Sequence, residues 1–368
     1  MDAGVGPRHV SSYLSADDDD LLLDEDGDNN DGGDAVPYRL LVFSANDETS
    51  LRANVKALSD HLANPRVRIR PTDLAYTLSE RRSRLFHRGF VIATSGRGTE
   101  LDERTLVAGK KSPDAPSVGF VFTGQGAQWP EMGRDLLRAF PSTTRAVLAE
   151  LDEVLQSLPD PPAWSLLREL TEPRSAEHLR DPEFSQPLVT ALQLCILAVL
   201  EAWEVTPQSV VGHSSGEMAA AYAAGLVSRA DAMTAAFYRG RAAVNRRGDS
   251  EENVGMLAVG LGPDELQPYL ARHGGDAWVA CYNSPNSVTV SGRRPALEAL
   301  QDDVKRAGHF ARLLHVDLAY HSALMRPIGD EYERLLADRL RPLAGRAGVS
   351  MFSSVTGARQ SGAADAQY

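Results

Sequence analysis

Residues 210–217 read VVGHSSGE, and this stretch decides the expected fold. An apolar run stops at Gly212, Ser214 follows two places later, and Gly216 two places after that. The flanks predict a buried strand before the motif and a helix, EMAAAYAAG, after it. G-x-S-x-G between a strand and a helix is the pattern of a nucleophile elbow, which presents the serine hydroxyl at a sharp turn. The alternative is a glycine- and serine-rich turn without chemistry.

A nucleophilic serine needs a base, and the chain has nine histidines. His321, in VDLAYHSALMRP, follows a region with a different strand pattern and stands where that region returns the chain to the larger unit. Such a junction is expected to line a cleft. We therefore predict His321 as the base for Ser214.

The pattern around the elbow predicts an α/β protein. Strands alternate with helices, which favours a hydrolase-like core around a largely parallel sheet. One region reads β-α-β-β-α-β and predicts an inserted ferredoxin-like small subdomain. A small α/β linker domain precedes the core. The predicted domains are an acidic disordered segment at 1–36, the linker domain at 37–115, a large subdomain at 116–253 and 317–368, and the small subdomain at 254–316.

Charge is concentrated at one end of the chain. The net charge of −12 comes mostly from residues 1–36, which hold eleven acidic residues and one basic residue, Arg8. Such a segment cannot bury enough apolar surface to order itself, so it is either a passive linker or an acidic interaction tail. The remaining chain is almost neutral, which argues against a nucleic-acid partner.

Other features limit the function classes. The two cysteines, Cys195 and Cys281, lie in apolar contexts and predict neither a disulfide framework nor a metal site. The N-terminus lacks the basic start and apolar stretch of a secretory signal. The apolar run at 188–200 is too short to span a membrane and predicts a buried helix. We expect a cytoplasmic protein without a membrane partner.

Five motifs together resemble the malonyl-CoA:acyl-carrier-protein acyltransferase family. Within it, they resemble the acyltransferase domain of fungal-type iterative, highly reducing polyketide synthases. The motifs, in the family's order, are FVFTGQGAQW, GHSSGEMAAAYAAG, FYRGR, YNSPNSVTVSG and AYHSALM. The resemblance covers about residues 116–357, and 37–115 looks like the linker domain between ketosynthase and acyltransferase.

The resemblance implies roles for the catalytic groups. Ser214 would take the acyl group and His321 would act as base and then as acid. A main-chain carbonyl from SSV at 353–355 would orient the histidine, with Asp317 as the rival third member. Backbone N–H groups of Gln125 and Ser215 would form the oxyanion hole.

The resemblance also implies how the substrate is bound. Arg239, in FYRGR, would bind the free carboxylate of the acyl group through its bidentate fork, while Arg241 would face solvent. Gln186 and Asn283 match polar positions that line the family's cleft.

The four residues that end at the histidine distinguish extender units in related synthases. Malonyl enzymes resemble HAFH there and methylmalonyl enzymes resemble YASH, whereas this chain reads LAYH at 318–321. Tyr320 would crowd a branching methyl group, which favours malonyl, although Leu318 fits neither pattern.

The expected reaction moves a malonyl group from malonyl-CoA, through a seryl ester, to the phosphopantetheine thiol of an acyl carrier protein. No bound cofactor is expected, because phosphopantetheine arrives on the partner. The expected partners are the carrier protein and the ketosynthase domain of a polyketide synthase. The chain stops earlier than the family pattern does, so we expect a C-terminally truncated large subdomain. Two alternatives stay open: a serine hydrolase or editing esterase, and an inactive fragment.

Overall fold

The computed structural model describes residues 38–94, 101–247, 253–360 and 364. The predicted acidic segment 1–36 lies outside these residues. The chain divides into two compact units, Met1–Asp114 and Ala115–Tyr368. The domain boundaries expected from the sequence stay predictions, and each unit is described by itself.

The first unit is an antiparallel sheet, in the order β1-β2-β3, with two helices. Leu41 and Val91 point to the same face and are buried with Leu51 and Val55 of the first helix. That helix begins where it does because the Asp47 carboxylate accepts a hydrogen bond from the Ser50 backbone N–H at 2.7 Å. The elements are β1 (Tyr38–Ala45), α1 (Glu48–Leu62), α2 (Pro71–Glu80), β2 (His87–Thr94), a 3₁₀ turn (Glu103–Thr105) and β3 (Val107–Lys110).

The second unit is built on a parallel sheet of β4 (Gly119–Phe122), β5 (Ser209–Gly212) and β10 (Ser350–Ser353), in the order β10-β5-β4. Its core packs the long helices α4, α7 and α9 with the sheet, and includes Leu148, Leu194 and Phe237. The elements up to the second sheet are β4 (Gly119–Phe122), α3 (Arg134–Ala139), α4 (Pro141–Gln156), α5 (Leu166–Thr171), α6 (Ala176–Arg180), α7 (Pro182–Ala202), β5 (Ser209–Gly212), α8 (Gly216–Ala223) and α9 (Arg229–Arg247).

The β-α-β-β-α-β order predicted from the sequence is present in this unit. Its four strands are all antiparallel to their neighbours and lie in the order β7-β8-β6-β9. The remaining elements are β6 (Val254–Val259), α10 (Pro263–Leu270), a 3₁₀ turn (Ala271–His273), β7 (Ala277–Ser284), β8 (Ser287–Arg293), α11 (Arg294–Arg306), β9 (Ala311–Leu313), a 3₁₀ turn (Ala323–Met325), α12 (Arg326–Leu336) and β10 (Ser350–Ser353).

Helix α7 is the most apolar helix of the fold. In the part of the chain that the structure describes, it alone has the length and hydropathy (1.5) of a membrane span. However, 61% of the apolar window is buried inside the protein. The core helix of a soluble protein can have the same length and hydropathy, so α7 is only weak evidence for a membrane segment.

The three parallel strands end at the same level. Phe122 of β4 and Ser353 of β10 both pair with Gly212 of β5, so the last residues of the strands lie side by side. Parallel strands place their carboxyl ends on one edge, where α/β proteins bind ligands. Three loops therefore start from one edge: the turn at 123–126, the elbow at 213–215 and the turn after Ser353.

Candidate active site

The elbow is as sharp as its sequence predicts. Strand β5 ends at Gly212 and helix α8 starts at Gly216, so three residues make the turn. Ser214 has φ of +54°, a left-handed conformation that costs a non-glycine residue on the order of 1 kcal/mol. A Cβ atom at Gly216 would lie 2.3 Å from the Phe122 carbonyl oxygen, so only glycine fits against β4.

Ser214 and His321 meet across the site. Ser214 Oγ lies 2.8 Å from His321 Nε2, within hydrogen-bond distance. His321 also has a left-handed backbone, with φ of +60°. Two strained residues in direct contact are typical of a functional site. The structure therefore brings together the serine and the histidine predicted from sequence.

The surroundings of His321 disfavour its protonated form. The residue is open to the cleft on one side, but protein atoms around the ring remove enough water to lower its pKa. The positive charge of Arg239 and the proximity of His213 add to this desolvation, and the pKa falls from the ordinary 6.5 to about 4. At neutral pH the ring is therefore uncharged and able to accept a proton.

The orienting group predicted for His321 is not seen. Among the hydrogen bonds between described residues, His321 makes the one to Ser214 and none to the carbonyls of 353–355. The rival, Asp317, has its carboxylate 3.8 Å from Arg294 Nη2. Ser354 and Val355 nevertheless line the same cavity as His321. The predicted role of this segment stays a prediction.

Arg239 of α9 is fixed on two sides. Its Nη1 donates a 2.6 Å hydrogen bond to Gln186 Oε1, and its guanidinium lies over the Tyr320 ring at 5.4 Å. Its Nη2 lies 3.4 Å from Ser214 Oγ. A hydrogen bond at the edge and an aromatic ring on the face hold a guanidinium in one orientation. The site thus has a fixed positive charge beside the serine.

Arg241 behaves differently from the prediction. Its side chain is half-buried, with nitrogen atoms 3.6 Å from Asp160 and 3.9 Å from Glu183, instead of facing solvent. Two residues along a helix point about 200° apart, so Arg239 and Arg241 lie on different sides of α9. The carboxylates that surround Arg241 explain its position.

Gln186 connects two predicted site residues. It is 1% exposed, and its Nε2 donates a 2.7 Å hydrogen bond to Gln125 Oε1 while its Oε1 accepts from Arg239. A buried amide with both ends occupied has a single orientation. The carboxamide therefore ties the turn after β4 to the arginine on α9.

The predicted oxyanion residues lie on adjacent loops. Ser215 is buried and stands at the N-cap position of α8, where its side chain makes no capping hydrogen bond. Gly124, beside Gln125, packs so closely on the elbow that a Cβ there would lie 2.6 Å from the His213 carbonyl oxygen and 3.2 Å from Ser214 Cβ. The turn after β4 thus contacts the elbow directly. The assignment of the two backbone N–H groups stays a prediction.

His213 joins the elbow to the antiparallel sheet. Its Nε2 lies 3.2 Å from Asn283 Oδ1, and Asn283 Nδ2 donates to Thr289 Oγ1 at 3.0 Å. The bond to Thr289 orients the amide with its oxygen toward the histidine. Strand β7 therefore contacts the elbow through the Asn283 side chain.

A cavity of about 620 Å³ opens onto the serine and histidine. It is lined by Ser214, Ser215, Arg239 and His321, with apolar side chains from α8, α9 and α12. A second cavity, of about 490 Å³, is lined by Gln125 and Tyr320.

Two of the three predicted cleft-lining residues, Gln186 and Asn283, do not line the larger cavity. They lie one hydrogen bond behind Arg239 and His213, which do. The third, Tyr320, lies under Arg239 and lines the second cavity instead. The family resemblance placed Gln186 and Asn283 in the cleft, and the motif at 318–321 placed Tyr320 there, but neither indicates how deep a side chain lies.

Within 38–94, 101–247, 253–360 and 364, no group of three or more His, Cys, Asp or Glu side chains could hold a metal ion. The groups that line the cavity include the Ser214 hydroxyl, the His321 imidazole and the Arg239 guanidinium, together with the carboxylates of Glu217 and Asp231.

Comparisons with known proteins agree with this geometry. Residues 119–368 match the family model described as acyl transferase domain, and residues 39–99 match CurL-like, PKS C-terminal. A highly reducing polyketide synthase from Eupenicillium brefeldianum is 50% identical over 367 residues, 98% of this chain. The highly reducing polyketide synthase ATR6 of Stachybotrys chlorohalonatus is 53% identical over 329 residues, 86% of this chain.

The chain spans 15% and 13% of the lengths of those two relatives. Among solved structures, it resembles the acyltransferase domain from module 8 of the salinomycin polyketide synthase, with a TM-score of 0.75 and 29% identity. That likeness covers 90% of this chain and 78% of the other. The match to the family model covers more than half of the chain, so the protein belongs to the acyl transferase domain family.

Proposed function

We propose that this chain transfers a malonyl group from malonyl-CoA to the phosphopantetheine thiol of an acyl carrier protein, as the acyltransferase domain of a polyketide synthase. One observation carries the proposal: Ser214 Oγ lies 2.8 Å from a neutral imidazole and 3.4 Å from a fixed guanidinium. A nucleophile, a base and a carboxylate-binding cation therefore converge on one atom.

In the first half-reaction, Ser214 Oγ attacks the thioester carbonyl and its proton passes to His321 Nε2. The tetrahedral intermediate collapses, the carbon–sulfur bond breaks, and the sulfur of coenzyme A leaves with the proton from His321. The malonyl group stays on Ser214 as an ester. A neutral base is required for the first step, and the lowered pKa of His321 provides it at cytoplasmic pH.

In the second half-reaction, the thiol of phosphopantetheine gives its proton to His321 and its sulfur attacks the seryl ester. The ester bond breaks, and Ser214 Oγ takes the proton back. Backbone N–H groups of Gln125 and Ser215 hold the negative oxygen in both intermediates. Removing one such donor costs about 3 kcal/mol of barrier in comparable sites.

Arg239 selects an acyl group that has a second carboxylate. A malonyl carboxylate paired with its guanidinium in a bidentate fork would place the thioester carbon beside Ser214. Gln186 and Tyr320 restrict the guanidinium to one orientation. Tyr320 is buried beside that position, which leaves little room for a branching methyl group and supports malonyl over methylmalonyl.

Intact-protein mass spectrometry after brief mixing with malonyl-CoA tests this function. We expect a malonyl-sized adduct on the wild type, none on Ser214→Ala, and a strongly reduced amount on Arg239→Ala. Arg241→Ala is the matched control, because it removes the same charge from the same helix away from Ser214 and should keep the adduct. Folded wild-type protein without an adduct would contradict the proposal.

The competing hydrolase activity is distinguished from transfer by following where the acyl group goes. Wild type loaded with malonyl-CoA is given free pantetheine or a holo carrier protein. Transfer to the thiol faster than release of free malonate supports the transferase. The opposite order, in which most malonate appears in solution, would favour an esterase or editing activity.

A further inference from the structure

The turn that follows β10 forms one wall of the cavity. Ser354 and Val355 line it together with Ser214 and His321. The turn is exposed to solvent, and its own backbone bonds join Ser353 to Gly357 and Ala358 at 2.9 Å. Those bonds shape the turn but do not attach it to the rest of the site.

One carboxylate attaches this turn to the elbow helix. Glu217 Oε1 accepts hydrogen bonds from the Ser354 backbone N–H at 2.6 Å, from Ser354 Oγ at 2.8 Å and, more weakly, from Ser353 Oγ at 3.4 Å. Glu217 lies three residues after the nucleophile, in the first turn of α8, and itself lines the cavity. Charge-assisted bonds of this length are among the stronger polar contacts in a protein.

The attachment is not duplicated by the sheet. Strand β10 pairs with β5 only up to Ser353, so the residues beyond it are no longer held by the ladder. Loss of the carboxylate contact would leave the turn tethered at its base. The wall next to His321 would then be free to move away.

We propose that Glu217 is a positioning residue, which holds the 353–356 turn against the elbow and thereby sets the wall beside the Ser214–His321 pair. It acts mainly through the reach of the one oxygen that accepts these hydrogen bonds, and the carboxylate charge only strengthens them. The inference rests on the proposed function only for the reaction that it serves, since the geometry concerns the reactivity of Ser214 itself.

Charge and geometry make opposite predictions for two substitutions. Glu217→Gln loses the charge but keeps an oxygen at the same reach, so it should retain most of the reactivity. Glu217→Asp keeps the charge but is one methylene shorter and cannot reach Ser354, so it should behave like Glu217→Ala. A displacement of about 1 Å in an active site can lower the rate about 100-fold. We expect at least a tenfold loss for Asp and Ala.

The readout is the rate at which a serine-directed fluorophosphonate labels Ser214, measured from pH 4 to 8, alongside malonyl adduct formation. If the wall opens, water reaches His321, and the pKa of His321 should rise because desolvation lowers it. In the Ala and Asp variants, the labelling rate should then fall at a higher pH than in the wild type. A general loss of stability would lower the labelling rate without changing the pH at which the rate falls. Glu265→Ala is the matched control, because Glu265 also accepts a backbone N–H bond at a helix start, from Gly262 at 3.2 Å, away from the cavity.

Wild-type rates in Glu217→Ala and Glu217→Asp would overturn the proposal. So would a Gln variant that is slower than the Asp variant, which would show that the charge matters more than the reach of the oxygen. If Glu217→Ala does not fold, the Gln and Asp pair decides. Labelling by the fluorophosphonate without acylation by malonyl-CoA would contradict the proposed function and leave the positioning role to be judged on the labelling rates.

Discussion

The two sheets of the second unit contribute to the site in different ways. In the parallel sheet, three strands end on one edge, and the loops that follow carry Gln125, Ser214 and the 353–356 turn. In the antiparallel sheet, neighbouring strands run in opposite directions, so their ends alternate between two edges. That sheet supplies Asn283 near the end of β7 and, through the chain that leaves β9, Tyr320 and His321.

The difference shows how strand direction determines which kinds of functional group each sheet brings to the site. A parallel edge collects several backbone turns and can build a nucleophile with its oxyanion donors. The antiparallel sheet offers individual side chains, here the Asn283 amide and the cavity-lining residues 280–282 of β7. The chain that leaves β9 adds the base and an aromatic ring. Perturbing the parallel edge should therefore damage the reaction more than an equal perturbation of the antiparallel sheet.

The largest effect is expected from Gly216→Ala at the parallel edge, compared with Gly292→Ala in the antiparallel sheet. A Cβ at Gly216 would lie 2.3 Å from the Phe122 carbonyl oxygen, and a Cβ at Gly292 of β8 would lie 2.3 Å from the Asp276 carbonyl oxygen. The two Ala variants should lose similar thermal stability. Only Gly216→Ala displaces the elbow, so we expect Ser214 acylation to fall about 100-fold there.

Stopped-flow or quenched acylation with malonyl-CoA measures this pair, with thermal unfolding followed by circular dichroism. Gly292→Ala should acylate near the wild-type rate at temperatures where it is folded. Equal losses of activity in the two variants would show that the two sheets matter equally and would remove the contrast.

The second effect concerns the base that follows the antiparallel sheet. An imidazole with the ordinary pKa of 6.5 is only about 3% neutral at pH 5. With a pKa of about 4, His321 stays mostly neutral at that pH. The active, deprotonated form is lost only as pH falls through about 4, so labelling of Ser214 at pH 5 should be about 30-fold faster than an unperturbed histidine allows.

The Arg239→Ala variant tests what lowers the pKa of His321. Removing the positive charge beside His321 should raise its pKa and move the acid limb to higher pH. Fluorophosphonate labelling suits this measurement because the probe needs no carboxylate pocket. An acid limb near 6.5 in the wild type would show that burial and charge do not act on the base as described.

The sequence predicted the elements whose pattern is local. The apolar runs YRLLVFSA and AWVACYNS predict strands and form β1 and β7 with the same ends. The helical spacing of Leu51 and Val55 predicts a helix, which is α1. The sequence also predicts helical structure over 134–157, and the structure has two helices there, separated at Phe140 because Pro141 starts the second. Strand β3 was missed, since VAGK shows no alternation of apolar and polar residues.

The site was less accessible to sequence reasoning. Ser214 has a local motif, but His321 lies 107 residues further along the chain and was placed by its position alone. The bonds from Gln186 to Gln125 and Arg239 span 61 and 53 residues, and those from Glu217 to Ser354 span 137. No periodicity connects such pairs, so Arg239 was found only through the family resemblance and the role of Glu217 not at all.

The smallest effect is expected where the antiparallel sheet touches the elbow through a side chain. Asn283→Ala removes the oxygen 3.2 Å from His213 Nε2, at an exposed rim where a hydrogen bond contributes about 1 kcal/mol. Acylation should fall about fivefold. Asn286→Ala is the control, because Asn286 accepts a bond from Ser284 in the same hairpin without reaching the elbow. A loss as large as that of Gly216→Ala would mean that this sheet does more than supply single groups, because one amide at its edge would then control the geometry of the nucleophile.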